Sequence, residues 1–163
     1  MLKGAKTKKV FDLDRSRIIK NFYLNKQQEL KLNIFLEELI NYNRHTNLVG
    51  KSTLVNPWQS HILDCIQISK FIKNKKSTIL DMGTGPGLPG LILAIVGYKK
   101  VSLVDSNNKK INFIKNIIKK LDIKVEVFLN RIEKINNKKY NYLTSRALAS
   151  LSKLFSYSQN FIN

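Results

Sequence analysis

The stretch Thr78-Ile-Leu-Asp-Met-Gly-Thr-Gly-Pro-Gly-Leu-Pro-Gly90 constrains this chain more than any other part of it. It reads as an apolar strand, then a glycine turn, then the first turn of a helix. Gly83, Gly85 and Gly87 can take positive φ and leave no side chain in a ligand's way. The first N–H groups of the helix that follows have no partner within the helix and point into the turn. Asp105 ends the next strand-like run, Val101-Ser-Leu-Val-Asp105. It lies about 20 residues past Gly85, the spacing at which a carboxylate meets a ribose hydroxyl in nucleotide-binding folds.

Spacing alone leaves the ligand open. Gly85-Pro-Gly87-Leu-Pro-Gly90 fits G-x-G-x-x-G, the pattern of a dinucleotide site. Asp81-Met-Gly83-Thr-Gly85-Pro-Gly87 fits the D-x-G-x-G-x-G turn of methyltransferases that use S-adenosylmethionine. That cofactor has no pyrophosphate, but it has a cationic sulfonium and an amino-acid tail. A carboxylate placed just before the first glycine suits it better than it suits a diphosphate. A strand–helix turn that binds nothing is the third reading. The ordered run of strand, turn, helix and second acid speaks against it.

The 163 residues are enough for one domain with a real core. No apolar run approaches the roughly 18 residues of a membrane span. The N-terminal Met-Leu-Lys-Gly-Ala-Lys-Thr-Lys-Lys lacks the apolar segment of a signal peptide. The single cysteine, Cys65, excludes an intramolecular disulfide and suits a reducing compartment. The expectation is a cytoplasmic monomer with no membrane partner. A formal net charge of +18 attracts polyanions, nucleic acid before anionic membrane. Part of that charge reflects a Lys-, Asn- and Ile-rich composition of the kind an adenine/thymine-rich coding sequence produces, so charge alone does not name the partner.

Along the chain, residues 1–14 read as a basic arm. A short helix is predicted over 15–23. Asn25 caps a longer one, with Gln28 in the capping-box position and Leu32, Phe35, Leu36, Leu39 and Ile40 as its apolar stripe. Asn56-Pro57 starts a helix that runs to about Ile72, and His61 and Asp64 share one of its faces. The favoured reading of that pair is a local hydrogen bond; it lacks a third ligand for zinc and a nucleophile for a triad.

From Ser77 onward strands and helices alternate. Strands are predicted over 77–82, 101–105, 124–129 and 141–144, and helices over 88–97, 107–121 and 148–161. This is an α/β pattern: a mostly parallel sheet, helices on both faces, right-handed crossovers, and ligands at the carboxyl ends of the strands. The domain is thus one unit, a helical extension over 1–76 followed by a Rossmann-like core over 77–163.

Several segments together resemble the RsmG/GidB family of bacterial ribosomal RNA methyltransferases. Tyr42-Asn-Arg-His-Thr-Asn-Leu-Val49 is similar to the family's W-N-x-x-x-N-L-T, and His61-Ile-Leu-Asp-Cys65 to its H-x-x-D-S. The glycine loop over 81–90, with two prolines inside it, is similar nearly residue for residue. Leu103-Val-Asp105-Ser106, Arg131-Ile-Glu133 and Ser145-Arg-Ala-Leu-Ala149 resemble its later motifs. Tyr42, Val49 and Ser60 depart from the usual residues. The resemblance implies a class I methyltransferase fold that carries a methyl group from S-adenosylmethionine to N7 of a guanine in 16S ribosomal RNA. The partner is then that RNA or the small ribosomal subunit. By position, Gly83, Leu88, Ile132, Glu133 and Arg146 line the cofactor site; Asp105 joins them on its spacing. Arg146 is also the candidate for holding the target nucleotide. No general base is nominated, and Cys65 reads as a core thiol. The family continues past the segment ending at Asn163, so the expectation is a chain lacking the C-terminal strands, with its fourth strand at an exposed edge. Two other functions stay in view: an RNA-binding remnant that does not turn over, and a nicotinamide-dependent oxidoreductase.

Overall fold

The computed structural model describes residues 14–135 and 138–162. The expected basic arm lies outside these residues except for Asp14. The chain starts with a helix over 14–21 (α1) and a second over Lys26–Asn43 (α2). The expected capping box closes the start of α2. Asn25 Oδ1 accepts from the Gln28 N–H at 2.9 Å, and Gln28 Oε1 accepts from the Asn25 N–H at 3.1 Å. Such a cap is worth about 1 kcal/mol. Leu32, Phe35, Leu36 and Leu39 are buried and Ile40 is half-buried, so the stripe faces the core as its spacing requires.

The next helical segment, over 57–70 (α3), differs from its expected plain form. Asn56 Oδ1 accepts from the Gln59 N–H at 3.2 Å at its start. Trp58–Leu63 then widens into a π-helix before Asp64–Ile66 returns to α geometry and Gln67–Lys70 tightens to 3₁₀. A wide turn of this kind changes where side chains point and is commonly found at functional sites.

Four strands follow: Thr78–Met82 (β1), Lys100–Asp105 (β2), Glu126–Leu129 (β3) and Tyr142–Ser145 (β4). They pair in parallel in the order β3-β2-β1-β4. Helices Gly90–Ile95 (α4), Asn108–Leu121 (α5) and Leu151–Ser158 (α6) alternate with them. The two-residue period of the strands divides the sheet into two faces. Ile79, Val101 and Leu103 point into one core together with Phe35, Ile92, Phe113 and Ile117 from the helices. Leu80, Met82 and Val104 point the other way, against Ile132, Tyr140 and Phe161, with Leu154 and Tyr157 of α6 beside them. Helices therefore cover both faces, as expected. The last helix is shorter than the sequence suggests. Ala147 takes a left-handed φ of 53° and Ser150 is extended, so Leu148 stands outside the helix instead of starting it.

A buried carboxylate joins β1 to the glycine loop, to the start of α4 and to β4. Asp81 is fully buried. Its Oδ2 accepts from Thr84 Oγ1 at 2.5 Å and from the Gly90 N–H at 2.8 Å, and its Oδ1 accepts from Thr144 Oγ1 at 2.9 Å. Burial pushes its pKa up to about 6, against the pull of those three hydrogen bonds and of Arg146. Gly90 must be glycine for this contact: a Cβ there would sit 2.8 Å from Asp81 Cβ.

A second polar seam ties α3 to the end of β4. Arg146 Nη1 donates to Asp64 Oδ2 at 2.9 Å, and Nη2 lies 3.3 Å from His61 Nδ1. A guanidinium can only donate, so Nδ1 carries the lone pair and the proton is on Nε2. That Nε2 is buried without a partner. The expected local His61–Asp64 bond is thus replaced by a bridge through Arg146. Burial first, then Arg146, lowers the His61 pKa to about 4, with Asp64 opposing.

Two measurements follow from this packing. Gly90→Ala should destabilise the fold by about 1–3 kcal/mol through overpacking against Asp81 and Leu103, read as a lower denaturant midpoint; an unchanged midpoint would refute the close approach. The two buried titrations act in opposite directions. His61 contributes stability that is full above 6.5 and is lost as pH falls toward 4. Asp81 contributes stability that is full below 3.8 and is lost as pH rises through about 6. Asp81→Asn removes the second slope and leaves the first. Its melting temperature should therefore fall more steeply than the wild type's on acidification from pH 6.5 to 4, and parallel curves would contradict the assignment.

Candidate functional site

The carboxyl ends of the strands open onto the glycine loop, where ligands of parallel sheets sit. Gly83, Gly85 and Gly87 take φ of 65°, 60° and 101°, conformations that side-chain-bearing residues rarely adopt. The Thr84 N–H donates to the Val104 carbonyl at 2.9 Å and fixes the loop over β2. A crevice of about 240 Å³ lies beside it, lined by Gly83, Asp105, Ile132 and Glu133, with Leu148 and Tyr157 on the far wall. A larger hollow of about 720 Å³ lies at the opposite, amino ends of the strands, between Lys99, Ser102, Lys124 and Tyr140. Parallel-sheet topology favours the smaller one as the site.

Asp105 does more than its spacing suggests. Its Oδ2 accepts from the Gly85 N–H at 2.9 Å, and its Oδ1 accepts from the Asn107 N–H at 2.8 Å. The acid at the end of β2 is thereby fastened to the glycine loop of β1, and each oxygen keeps a lone pair for a ligand hydroxyl. A Cβ on Gly85 would meet nothing within 4 Å, so the loop is open to approach there. Glu133 is exposed at the rim. Its own backbone N–H, then the Tyr157 hydroxyl, then Arg131 and Lys153 hold its carboxyl below the usual range. Ile132 is buried and supplies the apolar wall.

Four of the six expected residues thus converge. Leu88 does not reach the crevice. It is buried in the core shared with α2, α4 and α5, and its N–H donates to the Thr84 carbonyl at 2.8 Å. Arg146 lies across β4, turned toward α3 as described above. Leu148 and Tyr157 are crevice residues that the sequence reading missed. Leu148 packs directly over Gly83: a Cβ there would lie 2.9 Å from Leu148 Cγ. Only the left-handed Ala147 brings it there, and nothing in the local pattern announces that turn.

The chemistry on offer is binding and alignment. Cys65 is buried, and burial drives its thiol far above the ordinary range, so it is no nucleophile. Among the described residues, no three His, Cys, Asp or Glu side chains gather where they could hold a metal ion. No helix among them is long and apolar enough to cross a membrane.

Comparison with known proteins bears on this arrangement. The profile of the GidB family, rRNA small subunit methyltransferase G, matches residues 28–163. The ribosomal RNA small subunit methyltransferase G of Rickettsia prowazekii (strain Madrid E) is 38% identical over 130 residues, covering 80% of this chain and 68% of that protein. Among solved structures, a mutant of MtNAS in complex with S-adenosylmethionine matches with a TM-score of 0.56 at 15% identity, covering 83% of this chain and 56% of its own. A candidate S-adenosyl-L-methionine-dependent methyltransferase from Methanococcus maripaludis matches with a TM-score of 0.55 at 14% identity, covering 63% and 51%. These two likenesses carry the fold, and the sequence matches carry the family. The chain belongs to the GidB family, rRNA small subunit methyltransferase G, built on the Rossmann-like fold of S-adenosylmethionine-dependent methyltransferases.

Proposed function

We propose that this chain methylates N7 of a guanine in 16S ribosomal RNA, using S-adenosylmethionine bound beside Gly83 and Asp105. The observation that carries the reading is the hydrogen bond from the Gly85 N–H to Asp105 Oδ2, which sets a carboxylate and an open glycine loop side by side at one crevice. The donor set fits the cofactor. Asp105 would accept from the ribose hydroxyls, Ile132 would pack against the adenine, Glu133 would meet the adenosine end, and Gly83 would leave room for the tail. The bound cofactor supplies a methyl group already activated on a sulfonium. Guanine N7 is a lone pair outside Watson–Crick pairing, so it needs no deprotonation before attack. The protein's task is to hold acceptor and donor in line.

The relatives' printed name supports ribosomal RNA as the substrate class, and the net charge of +18 suits a polyanion. We take the enzyme to act in the cytoplasm as a single copy. The helical extension over 1–76 and the core over 77–163 form one domain on this reading, because one apolar core runs from Ile18 to Leu121.

As it stands the crevice is smaller than the roughly 300–1,000 Å³ of typical small-molecule sites. Leu148 must therefore swing off Gly83 as the cofactor enters. Leu148→Ala should tighten S-adenosylmethionine binding several-fold in calorimetry, and a weaker complex would show that Leu148 helps to hold the ligand. Asp105→Ala should weaken binding by about 1.5–3 kcal/mol, the worth of a charged hydrogen-bond acceptor. S-adenosylmethionine should raise the melting temperature of the wild type and NAD should not, because only a ligand of the native state stabilises it. The reverse pattern would favour an oxidoreductase. The direct test is methylation of small ribosomal subunits from a strain lacking the enzyme. RNA binding without product would leave a remnant that recognises RNA but does not turn over.

A further inference from the structure

The hollow of about 720 Å³ at the amino ends of the strands has no part in the site described so far. Its origin lies in how the strands are connected. α4 and α5 pack on one face of the sheet, where Ile92, Phe113 and Ile117 join its core. On the other face, α6 reaches the cluster of Leu80, Met82 and Val104 near the carboxyl ends. Among the described residues, the link from β3 to β4 adds only the 3₁₀ turn Ile132–Lys134. The amino half of that face is thus left without a helix. The two-residue period and the register of the strands put Thr78, Lys100, Ser102 and Glu126 there, and all four line the hollow.

Four lysines stand around it, Lys99, Lys100, Lys124 and Lys138, against one carboxylate, Glu126. Glu126 is already engaged. Its Oε2 accepts from Lys138 Nζ at 2.8 Å and from the buried Ser102 Oγ at 2.6 Å. Among the described residues, no carboxylate forms an ion pair with Lys99, Lys100 or Lys124. Three ammonium groups at one concavity, without a counter-charge of their own, set up a local field that favours a multivalent anion. Tyr140 forms part of the wall. It is buried, its N–H donates to the Phe161 carbonyl at 2.8 Å, and its hydroxyl has no hydrogen-bond partner. A buried hydroxyl left so costs about 1–3 kcal/mol. A ligand oxygen lodged against Tyr140 would supply the missing acceptor.

We propose that this hollow is a second binding site, one for a phosphate group, held by Lys99, Lys100 and Lys124 with the Tyr140 hydroxyl as an uncharged donor. Lysine binds phosphate as a flexible point charge, so its ammonium groups can close on the anion from several sides. The volume lies within the roughly 300–1,000 Å³ of small-molecule sites, so the molecule that carries the phosphate also has room. Lys100 and Asp105 stand at the two ends of β2, about 17 Å apart at the rise of a parallel strand. The site is therefore separate from the cofactor crevice, and the two share no lining residue. The phosphate is either a link of an RNA backbone or a group on a free phosphorylated compound, since both offer the same oxygens.

The test is calorimetric titration of the intact chain with pyrophosphate, and then with a short single-stranded RNA. The double variant Lys100→Gln/Lys124→Gln should weaken pyrophosphate binding about tenfold or more, the loss expected for charged hydrogen bonds. Lys115→Gln/Lys119→Gln removes the same charge from the exposed side of α5, away from the hollow, and should leave the affinity within twofold. Tyr140→Phe should weaken binding about threefold, the worth of one neutral hydrogen bond, without lowering the melting temperature of the free protein. The unliganded melting temperature checks the fold of every variant. If RNA displaces pyrophosphate and also loses affinity in the Lys100/Lys124 variant, the phosphate is that of an RNA backbone. If pyrophosphate binds and RNA does not displace it, the site takes a free phosphorylated compound. Equal losses in the two lysine variants would mean diffuse attraction by net charge and would overturn the proposal. Failure of the wild type to bind pyrophosphate would overturn it too. None of these readouts involves S-adenosylmethionine, so this site and the methyl-transfer reading stand or fall separately.

Discussion

The Asp81 carboxylate, sealed beneath the glycine loop, is the interaction on which the architecture rests. One oxygen takes the Thr84 hydroxyl and the Gly90 N–H, the other takes the Thr144 hydroxyl. Through these three bonds the end of β1 sets the curvature of the loop, the entry of α4 and the lateral placement of β4. The group is buried at the cost of desolvation, which its raised pKa records. Such a group is stable only while every partner is present. The loop is therefore held in shape from below, and its upper surface stays open beside Gly85. A rigid underside and an open upper side are what a preorganised ligand site needs.

Two hollows flank the strand ends that this anchor sets. The crevice by Gly83 and Asp105 lies over β1 and β2, and the groove by Arg146 lies along β4. Thr144 belongs to both arrangements, since it lines the groove and also holds Asp81. On the proposed reading, the donor and acceptor of the transfer reaction meet at these strand ends. This places demands on alignment, and it asks little of side-chain reactivity. The buried, unreactive state of Cys65 and the neutral state of His61 accord with such a mechanism.

Much of this was legible in the chain itself. The order of strands and helices, the Asn25 cap and the stripes of α2 and α5 follow from local chemistry, and each appears within a few residues of where the pattern puts it. Gly83, Asp105, Ile132 and Glu133 meet because they lie at strand ends, and topology brings strand ends together. What could not be read was the outcome of contacts between residues far apart in sequence. Arg146 turns to α3 because partners 82 and 85 residues away outbid the crevice for its hydrogen bonds. Leu148 covers Gly83 because Ala147 adopts a left-handed turn that its residue type does not favour. Leu88 has the glycine loop on either side of it, yet its side chain goes to the core, since an apolar residue in a loop packed on α4 gains more from burial than from a ligand. The π-helix carries no periodic signal at all.

Among the described residues, β4 borders the sheet and pairs with β1 alone. The outer N–H and C=O groups of a border strand can accept a further strand from any chain that comes close enough, whatever its side chains. A protein carrying +18 charges resists such encounters with its own copies by long-range repulsion. Salt shortens the reach of that repulsion to about 8 Å at physiological strength. The same ions also weaken the pull of a polyanion. Ionic strength thus sets how closely two such edges can approach: dilute buffer keeps copies dispersed, and concentrated salt lets them come within reach of one another.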